Sequence, residues 1–147
     1  MSKQIIDTPL QIDLEALNNT SRNSMVANLG IRYTYVGTAR VEGTMPVDER
    51  TCQPFGFLHG GASLAFAETI SGVGTMAIIG PGKRAVGQQV SGNHVSSAPV
   101  GDTVKGVATL IHQGRSSHVW NVDILSQADG RLISSVRVLY CVIDDKN

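Results

Sequence analysis

The sequence predicts an α+β domain in which an antiparallel sheet curls around one long helix. Residues 31–35 and 41–45 show the two-residue period of strands. A stretch of small and apolar residues from Gly60 to Ile79 then reads as one helix, and four more strand-like runs follow it. Strands and helices therefore do not alternate as a parallel βαβ sheet requires, and the order is β-β-α-β-β-β-β in one domain over residues 1–147.

In chain order, Asp13 caps a short helix through Leu17, and Ser24 caps a second turn that Gly30 ends. Ile31, Tyr33 and Tyr35, then Val41, Gly43 and Met45, mark the first two strands. A loop rich in turn residues, Thr51-Cys52-Gln53-Pro54-Phe55-Gly56-Phe57, leads into the helix at 60–79, and Gly80-Pro81-Gly82 stops it. The remaining strands are expected at 85–95, 103–112, 117–125 and 131–143, with a turn at Asp129-Gly130 before the last.

Composition removes several classes of function. With 41% hydrophobic residues, 147 residues build one proper core. Twelve basic and twelve acidic residues cancel, which argues against a nucleic-acid surface or a polybasic membrane patch. Cys52 and Cys141 have neither metal-ligand nor redox-motif spacing and are expected to be free thiols. The first ten residues contain Lys3 and Asp7 and no apolar run of signal-peptide length, so a cytoplasmic location is expected. The apolar segment from Ala62 to Ile79 contains Glu68 and several glycines, which favours a helix buried in protein over a membrane span.

Glu68 is the leading functional residue. A carboxylate among small and apolar neighbours is costly unless something uses it, and the residues one turn away, Leu64, Ala65, Ser71 and Gly72, offer no salt bridge. The bland alternative is a Glu at the edge of a buried helix, satisfied by a tertiary partner. Other catalytic templates fit poorly. Gly61-Ala62-Ser63-Leu64-Ala65 loosely matches a nucleophile elbow, yet Ser63 lies inside the helix. Gly72-Val73-Gly74-Thr75-Met76-Ala77 matches a dinucleotide fingerprint but falls mid-helix, and Gly80-Pro81-Gly82-Lys83 lacks phosphate-loop spacing. His59, His94, His112 and His118 show no recurring ligand interval, so no metal site is expected. Nothing local in the sequence activates Cys52 as a nucleophile.

Gln53, His59, Gly60 and Glu68 remain, and together they suit acyl transfer. Backbone N–H groups in the first turn of a helix can polarise a carbonyl and stabilise an oxyanion, and Gly60 allows close approach there. Gln53 offers a second amide donor, and Glu68 can serve as nucleophile or as general base for water. A glycine-rich helix start with a capping histidine explains His59 and Gly60 equally well when taken alone.

The runs Met45-Pro46-Val47-Asp48, Gln53-Pro54-Phe55-Gly56-Phe57-Leu58-His59-Gly60-Gly61-Ala62-Ser63 and Ala67-Glu68-Thr69 resemble the hotdog-fold acyl-CoA thioesterases. The resemblance spans residues 14–140 and is nearest to the branch with the 1,4-dihydroxy-2-naphthoyl-CoA thioesterases of menaquinone synthesis and the enterobactin-pathway proofreading thioesterases. It implies hydrolysis of an acyl-CoA, with coenzyme A as part of the substrate and no separate cofactor. It also implies dimers joined sheet edge to sheet edge, paired into tetramers. Glu68 then matches the catalytic carboxylate, Gln53 the side chain near the thioester carbonyl, Gly60 the polarising N–H and His59 the histidine before it. Gln113-Gly114-Arg115-Ser116-Ser117 resembles the segment that contacts the nucleotide and phosphates of coenzyme A, and Gly61, Ser71, Asn93 and His94 complete the implied substrate contacts. Lys83 and Arg84 read better as a solvated turn than as ligands.

Two positions depart from the family. Many relatives carry Ser or Thr four residues after the catalytic carboxylate, where this chain has Gly72, leaving Ser71 as the nearest hydroxyl and suggesting room for bulky acyl groups. In Asn93-His94-Val95-Ser96-Ser97-Ala98-Pro99, Ala98 stands where relatives have Arg, and the segment is two residues longer. The expected substrate is an aromatic acyl-CoA, best represented by the naphthoyl thioester. Alternatives are a proofreading enzyme clearing an acyl or aryl carrier protein, a non-catalytic acyl-CoA sensor, and a fold-related dehydratase. His59 and Glu68 are nine positions apart, roughly 13 Å along a helix and on opposite sides of it, so one carbonyl cannot touch both. A site shared between antiparallel helices of two subunits is therefore expected.

Overall fold

The computed structural model describes residues 4–145; residues 1–3 and 146–147 of the expected domain lie outside them. The Asp13 side chain accepts a 3.0 Å hydrogen bond from the Ala16 N–H and starts helix α1 (Leu14–Thr20), which runs three residues beyond its expected end. Ser24 precedes α2 (Met25–Asn28) but does not cap it through its side chain. Its hydroxyl donates instead to the Ser21 carbonyl at 2.5 Å, a local bond that competes with capping.

The strands are β1 (Arg32–Val36), β2 (Arg40–Pro46), β3 (Lys83–His94), β4 (Thr103–Gln113), β5 (Ser117–Ser126) and β6 (Leu132–Asp144), with helix α3 (Gly60–Ile78) between β2 and β3. They form one sheet in the order β1-β2-β4-β5-β6-β3. Every neighbouring pair is antiparallel. The chain order and the α+β class are those the sequence predicts. The third strand begins at Lys83 rather than Ala85, because Lys83 and Arg84 pair across to Asp144 and Ile143. In place of the solvated turn expected for these two cations, their side chains form ion pairs with Asp144 and Asp145 at the far end of β6.

Helix α3 lies against the concave face of the sheet. Ser63, Phe66, Ala67, Ile70, Ser71, Gly74 and Thr75 are buried, a three-and-four spacing that makes one continuous stripe. Opposite them, Val41, Met45, Val104, Trp120, Val122, Ile124, Val136 and Val138 fill the core. Gly43 and Gly106 face each other across β2 and β4, and a Cβ on either would run into Phe66 and Ile70. The pair thus forms the depression in which the helix seats its two largest fully buried side chains. Among the described residues, no helix is long and apolar enough to cross a membrane.

The two sheet edges differ. At the β1 edge, the Asn18 amide exchanges two hydrogen bonds with the Tyr33 backbone, so α1 covers the strand. At the other edge, β3 is twelve residues long and mostly exposed. A long bare edge is a template for pairing with another chain.

Candidate active site

The loop before α3 is held by backbone bonds from Gln53 N–H to Phe57 O, Leu58 N–H to Ala98 O and His59 N–H to Thr51 O. His59 then caps the helix: its Nδ1 accepts from the Gly61 N–H at 2.8 Å, which requires the ring proton to sit on Nε2. The capping role expected for this histidine is the one its ring plays here. The Gly60 N–H, the first of the helix, meets no acceptor among the described residues. It is free for a ligand oxygen and lies where the helix dipole favours negative charge. Gln53 Oε1 accepts a short hydrogen bond from the Phe55 N–H, which leaves the Nε2 hydrogens as its remaining donors.

His94 closes this end of the site. A Cβ built on Gly60 would lie 2.5 Å from His94 Nε2, so the glycine is what allows the imidazole to stand against the helix start. The ring is held from behind by a 2.7 Å hydrogen bond shared between Nδ1 and Ser134 Oγ. Strand alternation sends the adjacent Asn93 to the other face of the sheet, where it lines a polar cleft with Asn121, Ser135 and Arg137. His59, Gly60, Gly61 and His94 are thus brought together, Gln53 is anchored in the loop that precedes them, and Asn93 is on the side away from α3.

Two turns along the helix, Glu68 is half-buried rather than fully enclosed. Its carboxylate rests on β3 at Gly87, where a Cβ would come within 2.2 Å of Oε1. The strand bulges next to this point, with the register shifting between Gly87 and Gln89. Glu68, Thr69, Tyr33 and Tyr140 line a cavity of about 270 Å³ with Met25, Val26 and Ala65. Met25 and Ala65 also line a neighbouring cavity of about 260 Å³ that reaches His59, Gly61 and Ala62. The two cavities share Met25 and Ala65, so α3 carries a mainly apolar, α2-flanked surface that runs from His59 and Gly61 toward Glu68.

The thioesterase superfamily model matches residues 55–133, more than half of the chain and the whole span from the helix approach to the start of β6. The chain belongs to the thioesterase superfamily. This thioesterase is 41% identical over 133 residues to a 1,4-dihydroxy-2-naphthoyl-CoA hydrolase of Escherichia coli, covering 90% of this chain and 96% of that one. It is 44% identical over 122 residues to a proofreading thioesterase, EntH, of Cronobacter sakazakii, covering 83% and 88% of the two chains. A crystal structure of a Haemophilus influenzae thioesterase matches with a TM-score of 0.86 at 40% identity, covering 92% and 94%. The fold is the hotdog fold and the chemistry is thioester hydrolysis.

The region around Gly72 differs from the expectation of open space. A Cβ there would lie 2.7 Å from the Tyr140 hydroxyl, which occupies the volume that the missing side chain leaves. Ser71 is fully buried and donates to the Ala67 carbonyl at 2.7 Å, so its hydroxyl serves the helix backbone and faces the core. The sequence reading does not single out Tyr140, Gly87 or Ser134. A glycine inside a strand, as at 87, is the signal of close backbone approach that could have found one of them.

At the far end of the sheet, Gly114, Arg115, Ser116 and Ser117 form the tight β4–β5 connection, closed by the Gly114 N–H donating to Ser117 O at 2.8 Å. Ser116 O accepts from the Val142 N–H at 2.9 Å, which ties the turn to β6. Arg115 and Ser116 line a cleft of about 430 Å³ with Lys83 and Asp144. Lys83 is paired with Asp144 at 3.0 Å, whereas Arg115 has no carboxylate partner among the described residues. In the thioesterase this leaves one guanidinium available for an anionic group.

Proposed function

We propose that this thioesterase hydrolyses an aromatic acyl-CoA, best represented by 1,4-dihydroxy-2-naphthoyl-CoA, at sites shared between two subunits. The observation that carries this reading is the pairing of both halves of the machinery with one bare edge strand: Gly60 lies against His94 and Glu68 lies on Gly87, both in β3. Within one chain, Gly60 and Glu68 are separated by eight residues, roughly 12 Å along the helix axis. If β3 pairs antiparallel with a second copy about a two-fold axis near Val90 and Ser91, Gly87 of each chain falls opposite His94 of the other. Each Glu68 then approaches the Gly60 of its partner, and the two-fold produces two such sites.

At each site the thioester oxygen accepts from the Gly60 N–H and from Gln53 Nε2. One such donor typically contributes roughly 3 kcal/mol to transition-state stabilisation. Glu68 acts on the carbonyl carbon by one of two routes. As a base it takes a proton from water while the water oxygen adds, then returns the proton to the departing coenzyme A sulfur. As a nucleophile it adds directly and expels the thiolate, and water then cleaves the mixed anhydride. The products in both cases are the free acid and coenzyme A. The apolar surface along α3 suits an aromatic acyl group, and Arg115 suits a phosphate of the coenzyme.

A thioester on an acyl or aryl carrier protein is the competing substrate, since the Cronobacter sakazakii relative is named as a proofreading thioesterase. The test is a free-thiol release screen across naphthoyl-CoA, benzoyl-CoA, medium-chain acyl-CoA and carrier-bound aryl thioesters, with Glu68→Ala beside the wild type. Naphthoyl and benzoyl thioesters should have the highest kcat/KM, and Glu68→Ala should lose orders of magnitude in turnover while still binding a non-hydrolysable acyl-CoA. A clear preference for aliphatic chains would overturn the substrate class, and a carrier-bound thioester that outpaces both CoA esters would assign proofreading instead. Turnover in heavy-oxygen water separates the two routes, because label in the Glu68 carboxylate marks the nucleophile.

A further inference from the structure

Gly72 and Tyr140 fit each other closely, at a distance from the oxyanion end of the helix. Tyr140 is on β6, faces α3 and is buried, with 6% of its surface exposed. Its hydroxyl enters the space over Gly72 and donates a short hydrogen bond to the backbone carbonyl of Glu68. That carbonyl is four residues before Gly72, so it is the acceptor that a Ser or Thr at position 72 would itself reach by bonding back along the helix. Ser71 Oγ lies 3.2 Å from the same oxygen, a longer and secondary contact. Burial, and then the Glu68 charge nearby, hold the Tyr140 phenol protonated well above its ordinary range. It is therefore a constant donor at any working pH, and it lines the same cavity as Glu68.

We propose that Tyr140 is a positioning residue for Glu68, supplying from the sheet the hydroxyl that anchors the carboxylate-bearing turn of α3 in the space that Gly72 provides. The proposal rests on the reading of Glu68 as the catalytic carboxylate. The Tyr140 bond fixes the height and rotation of that helical turn against β6, and thereby the reach of Glu68 toward a carbonyl held elsewhere. Position matters steeply in such chemistry, since a misplacement of about 1 Å can cost on the order of a hundredfold in rate.

The experiment compares kcat and KM for naphthoyl-CoA in Tyr140→Phe, Gly72→Ala, Gly72→Ser and the Tyr140→Phe/Gly72→Ser double variant, each checked by thermal melting. Tyr140→Phe removes the donor, and Gly72→Ala pushes the phenol away without replacing it. Both should lose about tenfold in kcat with KM within about twofold. Gly72→Ser displaces the phenol but brings its own hydroxyl to the Glu68 carbonyl, so it should keep more activity than Gly72→Ala. The double variant should recover most of what Tyr140→Phe loses, because with the hydroxyl gone the nearest atoms to the Cβ introduced at position 72 are ring carbons of residue 140, at 3.2 and 3.5 Å. A merely structural tyrosine would not be rescued by a serine on another element. Unimpaired kcat in Gly72→Ala, or a double variant no more active than Tyr140→Phe, would overturn the proposal. Glu68→Gln is measured alongside: if it still turns over, the catalytic reading fails and takes this proposal with it. If Glu68→Gln is inactive while Gly72→Ala is unimpaired, this proposal alone fails.

Discussion

Gly87→Ala separates the place of the Glu68 carboxylate from the stability of the fold. The added Cβ would lie 2.2 Å from Glu68 Oε1, while ordinary van der Waals contact begins at 3.4 Å, so the oxygen must retreat by about 1.2 Å. The displaced atom is the end of a flexible side chain and Gly87 is on an exposed edge strand outside the left-handed region, so the substitution adds little strain. Ala also suits a strand somewhat better than Gly. Catalysis should suffer where folding does not: a shift of about 1 Å predicts roughly a hundredfold lower kcat, with KM changed a few-fold at most. The assay is free-thiol release from naphthoyl-CoA, with a thermal melt and sedimentation to confirm that fold and assembly are unchanged. A Gly87→Ala enzyme of normal assembly with kcat within about twofold of wild type would refute the idea that the carboxylate must rest on β3.

Two further outcomes follow from the same geometry. His118 is buried, its Nδ1 has no hydrogen-bond partner among the described residues, and its pKa is lowered first by burial and then by the charge of His112. Its folded pKa is below the unfolded value of about 6.5, so the stability it contributes is intact above that pH and is lost as pH falls through the folded pKa. His118→Leu should be neutral or stabilising at about pH 7.5 and should flatten the fall in Tm below about pH 6.5; an unchanged slope would assign the acid sensitivity elsewhere. Arg115→Ala should raise KM for acyl-CoA several-fold while leaving KM for the same acyl group on pantetheine unchanged, and equal effects on both would remove Arg115 from the nucleotide site.

The helix and most of the sheet are legible in the sequence because their patterns are local. The apolar stretch from Gly60 and its Gly80-Pro81-Gly82 stop define α3 to within a residue, and β5 alternates strictly between buried and half-exposed positions. Strand β3 is less legible at its start, since Lys83 and Arg84 find their acidic partners 61 residues away. An edge strand with few buried positions also lacks the alternation that marks the others. Glu68 is visible as an isolated acid, but the reason it is tolerated is not: it is half-buried and rests on Gly87 from a separate element. Likewise Gly72 reads as open space in one dimension and is filled by Tyr140 in three. Residues that act through a cross-element fit leave only a glycine or an ordinary core tyrosine in the sequence.

The shared site is tested most directly by mixing two disabled chains. Glu68→Ala removes the carboxylate, and Gly60→Pro removes the N–H at the oxyanion end. Each homodimer should be inactive in free-thiol release from naphthoyl-CoA. A dimer containing one chain of each kind has one complete site, with Gly60 from the first chain and Glu68 from the second, beside one site lacking both. Co-refolded and purified through distinct tags, it should recover up to about half of the wild-type rate per dimer. Verified mixed dimers with no recovery, or a fully active wild-type monomer, would contradict a site built from two chains.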